Sequence, residues 1–400
     1  MTKVIVVGSG AGGGTVAREL ARANFDVTII ERGPFIKSRD AFRCYETFES
    51  DVEIMGTVCL GGTTMVTMGN AVRTCEDELK TLGISLDDEF EEMDEELGVK
   101  PLPESHVGKG TKKIVDAAQN LGFKPVPMPK IIDPRLCKPC GECAFGCKRD
   151  AKWTTADYLE EAVNLGANII ENTPITEIIT DNGEVVGVKS QEKEFYSDLV
   201  ILCAGAISTP RILNRSGVKA GEKLFVDTFL TVGGILKDIN FNQEVLMNAL
   251  IVVDDIILSP HFSTILLDEL GKFNAKNEDI IGIMVKIKDD PSGRVTEDSV
   301  VKYNTLRDVE LLSRGSAIAG SILTEAGVDA TTLVSTHPRG AHPGGTAAIG
   351  DVVDNNLETK ISGLYVSDAS VFPVVPGAPP VLTIIALAKR LAKHIIAKNG

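Results

Sequence analysis

The sequence predicts an α/β fold: a Rossmann-like nucleotide-binding domain carrying a second, smaller α+β domain. Three observations predict it. The chain opens on a short apolar run, KVIVV (3–7), then GSGAGGG, then TVARELARAN with apolar residues at helical spacing, then DVTIIERG. That is strand, glycine turn, helix and strand, one βαβ unit. Residues 168–202 alternate as further strands. The chain closes on a strand (GLYVSDAS), a proline-rich loop (FPVVPGAPP) and a strongly periodic helix (VLTIIALAKRLAKHIIAK).

The first unit carries the nucleotide fingerprint. Gly8, Gly10 and Gly13 match G-x-G-x-x-G between a strand and a helix. Such glycines allow a tight turn, close backbone approach to a pyrophosphate and close helix packing, with the helix N-terminus facing the phosphates. Glu31 ends the second strand 18 residues past Gly13. A carboxylate there accepts ribose hydroxyls. These elements predict a dinucleotide without choosing between NAD and FAD.

The remaining elements follow in order. Residues 86–97 (LDDEFEEMDEEL) read as an acidic, solvated helix and 111–122 as another. The proline-rich 124–136 reads as loop or extended chain, and 155–165 as a helix. Within 168–202, DNGE predicts a hairpin turn. Residues 222–310 read as a mostly β region, followed by a helix over 308–327.

Bulk composition bounds the function. The 400 residues are 43% hydrophobic and 24% charged, with net charge −15. An acidic protein of this kind is a poor partner for nucleic acid or an anionic membrane, since both need basic surface. No apolar run is long enough for a membrane span. The first residues run straight into a strand, which predicts a cytoplasmic protein without a signal peptide. In that compartment the eight cysteines read as thiols or metal ligands rather than disulfides.

Three further segments carry a resemblance. LGGTTMVTMGNAVR (60–73), GAISTPRILNRSGV (205–218) and AHPGGTAAIGDVVD…GLYVSDASVFPVVPGAPPVLTIIALA (341–388) resemble, in order, the signatures of the glucose–methanol–choline (GMC) oxidoreductases. The branch it resembles is that of long-chain alcohol oxidases and sugar-acid dehydrogenases. The resemblance implies FAD and a GMC-type, discontinuous FAD-binding domain over 1–75, 155–221 and 336–400. A helical and loop insertion would span 76–136, a cysteine-rich loop 137–154, and a reduced α+β substrate domain 222–335. It implies that Gly61, Gly62, Thr63 and Thr64 line the flavin, that Asp368 meets its ribityl–phosphate region, and that Pro174 and Ile175 meet the adenine. Thr67 stands where the family usually has Asn or His.

The resemblance also implies the catalytic residue. His342 occupies the family's H-x-x-G-T position, where a histidine takes the hydroxyl proton as hydride leaves the substrate carbon for the flavin. Imidazole suits this work because its pKa lies near working pH. The family's second position, usually His or Asn, is Pro379, which has no side-chain donor or acceptor. His337 is a candidate replacement. This departure keeps open a ferredoxin-fed reduction of an activated double bond or another acceptor. An electron-transfer subunit of a larger complex, as a homo- or hetero-oligomer, is carried as a separate alternative.

One motif lies outside the flavin signatures. Cys137, Cys140, Cys143 and Cys147 follow C-x2-C-x2-C-x3-C, a spacing of iron–sulfur ligands. A [4Fe–4S] cluster is expected, with [3Fe–4S], a structural zinc or no metal as alternatives, and with Cys44, Cys59 or Cys75 as candidate further ligands. Cys203 reads as a core thiol. A cluster beside a flavin predicts a dehydrogenase that passes electrons to a carrier such as ferredoxin. Residues 130–152 hold six basic and three acidic side chains, a basic island suited to an acidic carrier.

Overall fold

The computed structural model describes residues 1–399. Strand Lys3–Val7 is the centre of a five-stranded sheet whose order is Leu364–Val366, Leu199–Leu202, Lys3–Val7, Asp26–Ile30, Asn168–Ile170. All four pairings are parallel. The central strand is buried from Val4 to Val7 because helices cover the sheet, which is why it reads as continuous apolar sequence rather than alternating. Helix Ala11–Arg22 packs against helix Thr155–Asn164 and the closing helix Val381–Asn399.

Ile175–Asp181, Glu184–Ser190 and Glu194–Tyr196 form a small antiparallel sheet. Its first turn has positive φ at Asn182 and Gly183, 50° and 88°, the geometry that Asn-Gly supplies at low cost in a two-residue hairpin.

The second domain is a nine-stranded sheet built on Phe229–Ile235, Ile280–Ile287, Ile256–Pro260 and Ala249–Val253. Helix Leu306–Glu325 covers one face and buries Leu312, Ile322 and Leu323 against it. The opposite face looks toward the nucleotide domain.

This sheet extends beyond 222–335. The hairpin Tyr45–Phe48/Glu53–Thr57, the short strand Val126–Pro127 and the strand Arg339–Gly340 all join it. Arg339–Gly340 pairs in parallel with Glu53–Ile54, and Arg339 Nε donates to Glu53 Oε1 at 2.6 Å. The 76–136 stretch is also divided. Helix Asp87–Leu97 packs on the closing helix, where Lys389 and Lys393 pair with Glu96 and Glu89. Helix Lys109–Asn120 instead packs on Leu306–Glu325. Among the described residues no helix is long and apolar enough to cross a membrane.

Candidate active site

A cavity of about 760 Å³ runs between the two domains. Its wall passes from Glu31 and Ile175, along Gly8 and Gly10, past Gly62, Thr63, Thr64 and Asp368, to His342 and Pro379. That volume lies within the usual range for small-molecule and cofactor sites, roughly 300–1,000 Å³. Gly13 and Gly61 shape this wall from behind. A Cβ on Gly13 would stand 2.0 Å from the Gly8 carbonyl oxygen, so only glycine lets the helix sit this close to the strand. Gly10, by contrast, faces open space within 4 Å, leaving its backbone free for a ligand.

Ser9 ties the nucleotide end together. Its backbone N–H and its hydroxyl both donate to Glu31 Oε2, at 3.0 and 2.6 Å. The Gly33 N–H donates to Glu31 Oε1 at 2.9 Å. Ser9 Oγ also accepts the Gly61 N–H at 3.0 Å, joining the first glycine turn to the 60–73 loop. Sequence reasoning missed Ser9, which lies inside the fingerprint at one of its variable positions. Thr64 donates to the Gly61 carbonyl and accepts the Thr155 N–H. Asp368 accepts from the Gly205 N–H, the Thr209 hydroxyl and the Ser370 N–H. Burial raises its carboxyl above the ordinary range while these donors oppose the rise.

His342 enters the cavity from the loop after Arg339–Gly340, with its backbone N–H bonded to Val226. Its Nδ1 lies 2.9 Å from Asp227 Oδ2. Asp227 is fully buried, sits at φ 50°, and accepts the Gly377 N–H at 2.9 Å. One carboxylate therefore links the histidine to the loop that carries Pro379. Lys286 Nζ lies 2.8 Å from the same Nδ1 and 3.4 Å from Nε2. Burial, then the Lys286 charge, hold the imidazole below its usual pKa, against Asp227. His261 lies on the same wall, 3.1 Å from the Thr231 hydroxyl, and burial pushes it down to about 4.

Sequence reasoning missed Asp227, Lys286 and His261. A visible signal existed for Lys286: it is the one charged residue in the apolar strand IIGIMVKI. His337 is exposed and does not line the cavity, so it does not stand in for the side chain missing at Pro379.

The four cysteines of 137–147 line a separate small cavity beside Lys152, Ile132 and Val245. The thiols lie close enough that neighbouring cysteines, after burial, help raise Cys137 to about 11. Among the described residues no group of three or more His, Cys, Asp or Glu is gathered as ligands of a metal ion. Cys44 and Cys59 pack in one apolar cluster, and Cys75 and Cys203 in the main core, so none of these joins the small cavity.

The basic island is also smaller than its composition suggests. Lys130 and Lys152 are buried, leaving four of its six cations at the surface. Lys130 Nζ donates to Met68 O, Asn70 Oδ1 and Leu246 O. Lys152 Nζ donates to the carbonyls of Met65, Thr67 and Cys143. Of the surface four, Arg135 pairs with Asp133 and Lys148 with Glu142.

Comparison with known proteins places this arrangement. The family description "GMC oxidoreductase" matches residues 46–239 and again 291–388, and a "NAD(P)-binding Rossmann-like domain" matches 6–39. An uncharacterized protein of Methanocaldococcus jannaschii is 37% identical over 98% of this chain and 99% of its own length. An uncharacterized GMC-type oxidoreductase of Mycobacterium tuberculosis is 27% identical, over 98% of this chain and 76% of that protein. A long-chain-alcohol oxidase of Arabidopsis thaliana is 23% identical, over 98% and 67% respectively. The crystal structure of a pyridoxine 4-oxidase from Mesorbium loti shares the fold, with TM-score 0.76 at 16% identity over 98% of this chain and 99% of that one.

Proposed function

Because the chain belongs to the GMC oxidoreductase family, we propose that it is a cytoplasmic FAD-dependent dehydrogenase of a CH–OH group that passes electrons through an iron–sulfur cluster to a carrier such as ferredoxin. The observation that carries the reading is the composition of one cavity wall. His342 and the glycine turn line it, and so do Gly141, Ala144 and Phe145 of the cysteine run.

FAD fits the residues present. The open backbone at Gly10 and the start of helix Ala11–Arg22 suit the pyrophosphate. Glu31 suits the ribose, Ile175 the adenine, and Gly61 to Thr64 with Asp368 the flavin and its ribityl–phosphate chain. Bound FAD supplies the acceptor for a hydride. The chain's own residues do the rest. Asp227 accepts the Nδ1 proton of His342, which fixes the tautomer and leaves Nε2 to take the substrate's hydroxyl proton. The apolar side chains of Phe229, Met247 and Met284 close the substrate end against water.

The cysteine run supports the relay. Four thiolates around an iron–sulfur cluster carry net negative charge. Lys130 and Lys152 are buried, among the described residues without a carboxylate partner, and supply positive charge beside it. Lys152 also binds carbonyls of both the 60–73 loop and the cysteine run, bracing one against the other.

A second reading is an oxygen-using oxidase, favoured by the names of the Arabidopsis and Mesorbium proteins. Iron, acid-labile sulfide and flavin content of anaerobically purified protein separate the two. About four irons and one flavin per chain, with alcohol-dependent viologen reduction, is the expected result. Flavin without iron, with hydrogen peroxide formed from alcohol and oxygen, would replace the relay by the oxidase.

A further inference from the structure

Beneath the catalytic histidine lies a cation that the reaction as described does not use. Lys286 belongs to strand Ile280–Ile287, buried along its whole length. Ile283, Val285 and Ile287 pack into the core under helix Leu306–Glu325. Met284 and Lys286, on the other face, line the cofactor cavity. Across the sheet Lys286 is in register with Phe229, and Phe229 with Arg339, so the three form one row on the cavity wall.

Among the described residues the other buried lysines are saturated, Lys389 by Glu92 and Glu96. Lys130 and Lys152 each hold three oxygen acceptors, and Lys302 is ion-paired with Asp289 at 2.8 Å. Lys286 is 2% exposed, and among the described residues the only hydrogen-bonding neighbour of its Nζ is the His342 ring. An ammonium carries three donors. Moreover, Asp227 claims Nδ1: its Oδ2 lies 2.9 Å away and accepts the proton on that nitrogen. Nε2 then keeps the lone pair that takes the substrate proton, and the ammonium, 2.8 Å from Nδ1 and 3.4 Å from Nε2, stands beside it with N–H donors to spare.

We propose that Lys286 is the second hydrogen-bonding group of this site, holding the substrate oxygen beside His342 and replacing the side chain that Pro379 lacks. The proposal rests on the reading of the site as an alcohol dehydrogenase. In the step, the hydroxyl O–H breaks and its proton goes to His342 Nε2. The carbinol C–H breaks and its hydrogen leaves with both electrons as hydride, for which FAD, when bound, would be the acceptor. The carbon–oxygen bond becomes a carbonyl. A Lys286 N–H donates to that oxygen throughout and is itself neither made nor broken, so the negative charge that develops on oxygen meets a cation placed in advance.

The pH dependence follows with definite signs. Lys286 must be protonated, and burial brings its pKa down to about 8, with Asp227 and Asp289 opposing. His342 must be neutral, and its pKa is lowered. Asp227, His342, His261 with Arg339 behind it, and Asp289 held by Lys302 are the charged and titratable groups around the ammonium. Alcohol oxidation therefore rises with pH as His342 loses its proton and falls as Lys286 loses its own.

The test uses flavin-loaded protein with the Lys286→Met and Lys286→Gln variants. Anaerobic flavin reduction by a panel of primary alcohols is followed against pH, and the five histidines are titrated by ¹⁵N NMR in the oxidised protein. The expected result is a bell-shaped profile in the parent. In both variants the alkaline limb is lost, the rate falls about 10²-fold or more, and the His342 titration moves upward with flavin content unchanged. If a variant does not fold, the other variant and the parent's alkaline limb decide. An unmoved His342 titration, or an alkaline limb that survives the substitution, overturns the role of Lys286. If no alcohol reduces the parent's flavin while the His342 titration still moves, the alcohol reading fails and the Lys286–His342 coupling stands.

Discussion

The two ends of the cavity are built in opposite ways. At the nucleotide end, the turn residues and their carboxylate come from one βαβ unit, with Ser9 and Glu31 only 22 residues apart. At the catalytic end, His342 meets Lys286 across 56 residues and Asp227 across 115. The first end is ordered along the chain and the second across a sheet. Binding specificity for a phosphate needs backbone amides, which a local turn supplies. Proton handling needs side chains of different charge around one point, and those come from whichever strands the fold brings there.

Variants at the two ends should therefore fail differently. His342→Ala is expected to have the largest effect: about a 10²–10⁴-fold loss in the rate of flavin reduction, with flavin still bound. Rapid-mixing absorbance under anaerobic conditions measures it, and a loss of flavin instead would erase the distinction between the ends. Glu31→Gln acts at the opposite end. It removes a charge that accepts three hydrogen bonds, each worth about 1.5–3 kcal/mol when one partner is ionised. Flavin affinity should fall about 10–100-fold, by equilibrium fluorescence, while molecules that retain flavin are reduced at the parent's rate.

Gly13→Ala sharpens the comparison from the side of stability. The new methyl would meet the Gly8 carbonyl oxygen at 2.0 Å, which the helix can relieve only by moving off the strand. Overpacking of this sort costs about 1–3 kcal/mol. Urea denaturation of the flavin-free protein should show that loss, and flavin retention should drop with it. An equally stable variant that binds flavin normally would mean that the helix approach is looser than this packing requires.

The same contrast explains what could be read from the sequence. The glycine turn, Glu31, the Asn-Gly hairpin and the closing helix are local patterns, and the βαβ unit forms where they predict it. The family motif picks out His342, and the structure sets it in the cavity wall. Lys286 was visible as a lone charge in an apolar strand, yet a strand buried on both faces gives no alternation to show which face that charge occupies. Asp227 lies just before strand Phe229–Ile235 and reads as an ordinary loop aspartate; its burial comes from three segments meeting on it. Lys130 and Lys152 misled for the converse reason. Their charges suggested a surface, but backbone carbonyls of the 60–73 loop, invisible to composition, accept their hydrogen bonds inside. The hairpin at 45–57 escaped because its strands, YETF and EIMGT, are short and mixed in polarity.

His337→Ala gives the smallest expected effect and the cleanest check on position against proximity in sequence. Five residues separate His337 from His342, and a reader of the chain alone would place both at one site. The short strand Arg339–Gly340 lies between them: His342 lines the cavity and His337 faces solvent. The variant should keep flavin, stability and flavin-reduction rate within about twofold of the parent, since substitutions at exposed positions usually change stability by no more than about 0.5 kcal/mol. A tenfold loss of rate would mean that the 336–341 segment folds inward when substrate binds, and the catalytic end would then owe one of its groups to order along the chain after all.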